Sequence, residues 1–201
     1  QLAHEMASFS LHEVDRQPVF GRAIVVHAAD GARVGCGIRG GAFGVTSAIA
    51  VTAPYPGYAG GHPNVKAMAV LSMATGSLTM SAMLTGLEPN AVGGIHIHAG
   101  FGCDAASGSL SAYAGGHDYD GLSVAPRTTT YTSDGAGVVF VDMAVPGFSL
   151  EGVRPVAGRT IVVHTSSGAR AACGVITPTS AEVALLKPYP GYAPGRVVGG
   201  M

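Results

Sequence analysis

Charge is scarce in this chain. Asp, Glu, Lys and Arg make up 11% of its 201 residues, with 11 basic residues against 12 acidic ones. A balance of −1 offers no basic footprint for a phosphate backbone, so nucleic acid is excluded as a partner. The same shortage excludes disorder, which needs low hydrophobicity and high charge, whereas hydrophobic residues are 47% here. Tryptophan is absent, and no segment carries a convincing amphipathic helical pattern. No Asn-X-Ser/Thr sequon occurs, since Asn64 and Asn90 precede Val-Lys and Ala-Val. The chain opens Gln-Leu-Ala-His without a basic-then-apolar leader, as expected of a processed product, a fragment or a cytosolic chain. In place of these features stand 31 glycines and 12 prolines, which imply many turns and short strands.

An uncharged stretch of 21 residues runs from Ala67 to Leu87. It is interrupted by Ser72, Thr75, Gly76, Ser77, Thr79, Ser81, Thr85 and Gly86, and it alternates in polarity. A membrane-spanning helix is apolar throughout. Two strands joined at Thr75-Gly76 are expected instead, with no membrane span.

An internal repeat organises the chain. Residues 21–38 read GRAIVVHAADGARVGCGI and residues 158–175 read GRTIVVHTSSGARAACGV, identical at 11 of 18 positions with an offset of 137. Pro54-Tyr55-Pro56-Gly57-Tyr58-Ala59 recurs from Pro188, and Phe9-Ser10-Leu11 recurs from Phe148. A period of about 135 residues suits whole domains. Residues 62–201 hold one complete unit, while residues 1–61 match only the last third of a unit plus a linker. The two PYPGYA segments read as linkers between units of a tandem array. Residues 1–61 carry strand patterns at Ala23–His27, Val34–Ile38 and Ala48–Thr52, so they are expected to pack on the complete unit or on a neighbouring chain.

Within the complete unit, strands are expected at Lys66–Ala74, Ser77–Thr85, Gly94–His98, Arg127–Thr132, Val138–Val145, Thr160–His164, Ala171–Ile176 and Glu182–Leu186. Turn clusters separate most of them. Eight short strands without a helix predict an all-β, antiparallel sandwich or barrel.

Histidine, present eight times, carries the chemistry. In Ile95-His96-Ile97-His98 the two imidazoles share one strand face, roughly 6.5–7 Å apart, and can reach one metal. The same pattern also suits two histidines on a half-exposed strand. His117 follows in a Gly-rich loop and His164 ends a strand. Four neutral imidazoles suit copper or zinc. His62 competes with His117, because YAGGH occurs at both places; His117 is preferred for its order in the chain. His4 and His12 read as surface residues, and Met68, Met73, Met80 and Met83 as core filler.

The stretch GSLTMSAMLTGLEPNAVGGIHIHAGFGC, then GGH, then GRTIVVHTSSGARAACGVI resembles the copper-zinc superoxide dismutase family over about 110 residues, from Val65 to Ile176. It is closest to the copper-only superoxide dismutase repeat proteins, in which such domains occur in tandem. The resemblance implies a Greek-key β-barrel or sandwich. It implies copper ligands at His96, His98, His117 and His164, a disulfide between Cys103 and Cys173, and at Arg170 the arginine that orients the superoxide anion. His27, Arg33 and Cys36 are then idle repeat equivalents of His164, Arg170 and Cys173, and Cys36 is either free or a cross-link between chains.

The departures are specific. Between His117 and Asp134 there is no histidine, and Asp118 with Asp120 beside one imidazole makes a poor zinc site, so no zinc is expected. Only Thr165-Ser166-Ser167-Gly168-Ala169 separates His164 from Arg170, where the family carries a charged loop, so the copper should lie more open to solvent. The reading is copper-dependent dismutation of superoxide by an extracellular or cell-surface repeat, because a disulfide needs an oxidising compartment. Its alternatives are a structural repeat of an extracellular polymer with copper incidental, whose partners are other repeats of the same protein, and a module that buffers or delivers copper.

Overall fold

The structure is a computed structural model. It describes residues 23–38, 47–74, 76–104, 114–117, 129–150, 154–179 and 185–191. Thirteen strands occur among them: β1 Ala23–His27, β2 Arg33–Ile38, β3 Ser47–Val51, β4 Ala53–Pro54, β5 Lys66–Ala74, β6 Ser77–Thr85, β7 Val92–His98, β8 Thr130–Thr132, β9 Val139–Val145, β10 Thr160–His164, β11 Arg170–Val175, β12 Thr177–Thr179 and β13 Lys187–Pro188. All pair antiparallel, and no helix occurs among the described residues. None of the described segments is a helix long and apolar enough to cross a membrane.

Two compact units divide the chain: Val45–Ala181, and Gln1–Gly44 with Glu182–Gly200. The boundary drawn from the repeat at 61/62 marks sequence likeness, and the compact units are cut elsewhere. Residues 47–54 belong with the larger unit, because β3 pairs β5 and β12 while β4 pairs β11. The supposed linker around Pro54 thus supplies an edge strand. Proline is tolerated there, since its missing N–H costs no ladder bond on the outer side.

The larger unit is a sandwich of two five-stranded sheets, ordered β4-β11-β10-β7-β8 and β12-β3-β5-β6-β9. Alternation, broken at Met83, which is also buried, builds its core. Along β6, Leu78, Met80, Ala82 and Leu84 are buried while Thr79 and Ser81 are half-exposed, so one face packs and the other meets water. These residues meet Ile95, Ile97, Ile161 and Val163 of the facing sheet in one apolar cluster. The β5–β6 hairpin turns where Ala74 pairs Ser77, with Gly76 at φ +82°, a conformation that glycine adopts without a Cβ penalty.

Every residue of β10 is buried, which requires cover on both of its faces. Ile161 and Val163 face the sandwich core. Val162 faces outward beneath a second cluster of Ala114 and Cys173, packed by Tyr55 and Cys103. The segments around Cys103 and Ala114 therefore roof the outer face of this sheet, and that roofed face carries the site.

Lys66–Ala74, Ser77–Thr85 and Thr160–His164 are strands with the expected bounds, most of the others have ends shifted by one or two residues, and Leu185 and Leu186 are not strand, the pairing falling instead at Lys187–Pro188. Part of Arg127–Thr132 and most of Glu182–Leu186 lie outside the described residues, as do His4, His12, Asp118 and Asp120.

Candidate metal centre

Register decides which side chains share the outer face. On β7, Ile95 and Ile97 enter the core, so His96 and His98 turn outward. Across the ladder, His96 pairs Val162, His98 pairs Thr160 and Gly94 pairs His164, which places His164 on the same face. Gly94 opens the space that the ring of His96 fills: a Cβ at position 94 would stand 2.6 Å from its Cε1.

Arg170 reaches this face through a β-bulge. The β10–β11 register shifts between Val163 and His164, so Val163 pairs Ala172 but His164 pairs Arg170. Ala171 and Ala172 both lie in the core cluster. Without the extra residue Ala171 would sit opposite His164 and Arg170 would face the core, because a one-residue slip flips every side chain.

Four imidazoles converge. The ligand atoms of His96, His98, His117 and His164 all lie within 4.8 Å of one another. Nδ1 of His96 is 2.9 Å from Nε2 of His117, and Nε2 of His98 is 3.1 Å from Nε2 of His164. His117 arrives on the roofing loop, whose backbone is fixed by the Ala99 N–H donating to the Gly116 carbonyl and the Gly100 N–H to the Ala114 carbonyl. Cys103 is bonded to Cys173, tying the same loop to β11. His62 is not part of the cluster.

The hydrogen bonds set the tautomers. Nδ1 of His98 donates to the Gly115 carbonyl at 3.0 Å, and Nδ1 of His164 donates to the Gly168 carbonyl at 3.0 Å. A carbonyl only accepts, so each Nδ1 carries the proton and each Nε2 carries a lone pair. Two lone pairs 3.1 Å apart repel unless a cation lies between them. Contacts of 2.9–3.1 Å are also the spacing of adjacent nitrogens bound about 2.0–2.1 Å from one ion. The donor set therefore fits a metal that takes imidazole nitrogen.

Burial favours the neutral form of His98 and His164. His98 is 0% exposed, and its pKa is pushed down to about 3 by desolvation, against the raising effect of the Gly115 carbonyl. Burial also lowers the pKa of His164, with the charge of Arg170 adding to the effect. Neutral imidazoles are the form that ligates metal. The phenol of Tyr131, raised above its usual range by burial, donates to the His164 carbonyl at 2.8 Å and supports that strand end.

These shifts predict an acid-labile metal-free protein. The folded pKa values lie below the unfolded one near 6.5, so below that pH the unfolded chain takes up protons that the folded chain refuses. The stability is present above pH 6.5 and is lost as pH falls toward 3. Between pH 7.5 and 5.5 His98 alone should cost about 1.4 kcal/mol, and His164 adds to the loss in the same direction. Thermal melts of the metal-free chain check this, and an unchanged midpoint would refute it.

Arg170 stands beside the cluster. One guanidinium nitrogen donates to the Tyr55 hydroxyl at 2.9 Å and the other to the Gly115 carbonyl at 2.7 Å, the carbonyl that also accepts from His98. Both acceptors are neutral. Tyr55 and Gly115 were missed in the sequence, where PYPGYA reads as a linker. The one available signal was that this segment recurs together with the arginine.

The smaller unit holds His27, Arg33 and Cys36. Nδ1 of His27 lies 3.0 Å from the Gly31 carbonyl, Arg33 donates to the Tyr189 hydroxyl at 2.9 Å, and Cys36 is a free thiol.

Searches against protein-family models and against curated proteins find no match to this chain.

Proposed function

We propose that the larger unit binds copper and dismutates superoxide, as an extracellular copper-only domain of the superoxide dismutase type with a Greek-key sandwich. The observation that carries this reading is the placement of four converging imidazoles beside an arginine whose two hydrogen bonds among the described residues both run to neutral groups. Imidazole donors suit copper in both of its oxidation states. Copper, when bound, would supply the one-electron couple that one superoxide reduces, leaving as dioxygen, and the next reoxidises, taking two protons from solvent to leave as hydrogen peroxide.

The chain's own residues do the rest. His98 and His164, desolvated and neutral, present Nε2 lone pairs from fixed tautomers. Among the described residues the hydrogen-bond partners of Arg170 are Tyr55 and Gly115, neutral groups that orient the guanidinium toward a small anion without pairing its charge. The short turn from Thr165 to Ala169 leaves this side of the site without a charged loop, so attraction depends on Arg170 alone among the matched family features. The Cys103–Cys173 bond supports an oxidising, extracellular setting.

Arg170→Gln tests the reading. Superoxide turnover should fall about tenfold or more while copper content and melting temperature stay near those of the parent. Equal turnover, or no turnover in the copper-loaded parent, would overturn it. Retention of stoichiometric zinc beside copper would contradict the copper-only assignment.

A further inference from the structure

The smaller unit reproduces part of the larger one bond for bond. In β1–β2, Val25 pairs Cys36, Val26 pairs Gly35 and His27 pairs Arg33, with the ladder shifting between Val26 and His27. In β10–β11, Val162 pairs Cys173, Val163 pairs Ala172 and His164 pairs Arg170, with the same shift. The third strand also agrees: Lys187 lies opposite Cys36 as Ala53 lies opposite Cys173. Arg33 stands 5.6 Å over the ring of Tyr189, as Arg170 does over Tyr55.

Burial is what differs. Ile161 is 0% exposed and its counterpart Ile24 is 45% exposed. His164 is buried and His27 is exposed. In the larger unit the far edge of β10 is taken by β7. Among the described residues β1 has no strand on that edge. The two repeats, alike in sequence and folded in one register, thus differ among the described residues in two ways: Ile161 is covered by a facing sheet, which Ile24 lacks, and the far edge of β10 carries β7, where that of β1 carries no strand.

We propose that β1 is an acceptor edge for a His-X-His strand supplied by a separate polypeptide, of the kind this chain carries at Val92–His98. Such a strand adds antiparallel, and the offset of 137 transfers the known register: a residue like Ile97 lies opposite Ile24, one like His96 opposite Val25, and one like Gly94 opposite His27. Ladder hydrogen bonds supply affinity, and a residue like Ile97 lying beside Ile24 on the same face adds apolar contact that supplies specificity, as in other strand additions. The two incoming imidazoles then share a face with His27, whose Nδ1 is already committed to the Gly31 carbonyl. The completed edge gathers three imidazoles that can take one metal ion. The inference rests on strand pairing and imidazole chemistry, not on the dismutase reading.

The test adds a synthetic peptide of residues 88–104, with Cys103→Ser, to the full chain and follows hydrogen exchange. Amides within Ala23–His27 should slow in proportion to peptide, and copper(II) added beyond the one equivalent that fills the larger unit should tighten binding about tenfold or more. Ile24→Lys should abolish the protection, and His27→Ala should remove only the part that depends on copper. No protection at millimolar peptide would overturn the proposal, as would protection that survives Ile24→Lys. Protection that rises with chain concentration in the absence of peptide would overturn it in favour of β1 pairing with a second copy of itself.

Discussion

A chain carrying His98→Ala and His164→Ala is expected to bind metal about ten-thousandfold more weakly than the parent. Four-ligand sites in small domains yield roughly 10–16 kcal/mol, so each ligand is worth about 3 kcal/mol and two are worth about 6. These two are chosen because their Nε2 atoms form the 3.1 Å contact between lone pairs. Removing them erases the repulsion that a metal relieves as well as half of the donor set. The metal-free double variant should therefore lose less stability than two buried truncations ordinarily cost, while its affinity collapses. Competition against a chelator of known strength measures the change. Affinity within tenfold of the parent would show that the cluster is not the binding site.

The second large effect concerns the roofing loop. Replacing Cys103 and Cys173 by serine releases a cross-link that closes a span of 70 residues. The chain-entropy model assigns such a bond about 4 kcal/mol, which for a domain of this size lowers the melting temperature by roughly 10 °C. His117 should suffer beyond this general loss, since it reaches the site on the loop that the bond ties down. Metal affinity is therefore expected to fall along with stability, and differential scanning calorimetry with and without metal separates the two. A melting point within about 2 °C of the parent would refute the argument.

What the sequence made legible was local. The alternation in Lys66–Ala74 and Ser77–Thr85, with a turn at Gly76, is a short-range pattern, and the hairpin follows it. The four histidines could be nominated because His-X-His has its own geometry and the other two fall in matched motifs. The partner of Arg170 was hidden because it is a pairing over distance. Tyr55 lies 115 residues from Arg170, and no period within one strand encodes that contact. Pro54 and Gly57 further disguised β4, since proline and glycine punctuate turns more often than they edge a sheet. The bulge that swings Arg170 onto the metal face is equally silent in the alternation, which on its own would send that side chain inward.

One consequence lies in the pairing of β3 with β12. Ser47, where the larger unit's first strand begins, stands directly opposite Thr179, where its last strand ends. The chain enters and leaves this sandwich at neighbouring points on one edge. Tension applied along the polypeptide would load that pair as a zipper, opening Ser47 from Thr179, then Ala48 from Pro178, then Ile49 from Thr177, one rung at a time. A sheared pair would resist with all its rungs at once. The sandwich is therefore mechanically soft at its seam, extending by peeling β12 away before the sheet that holds the histidines feels the pull.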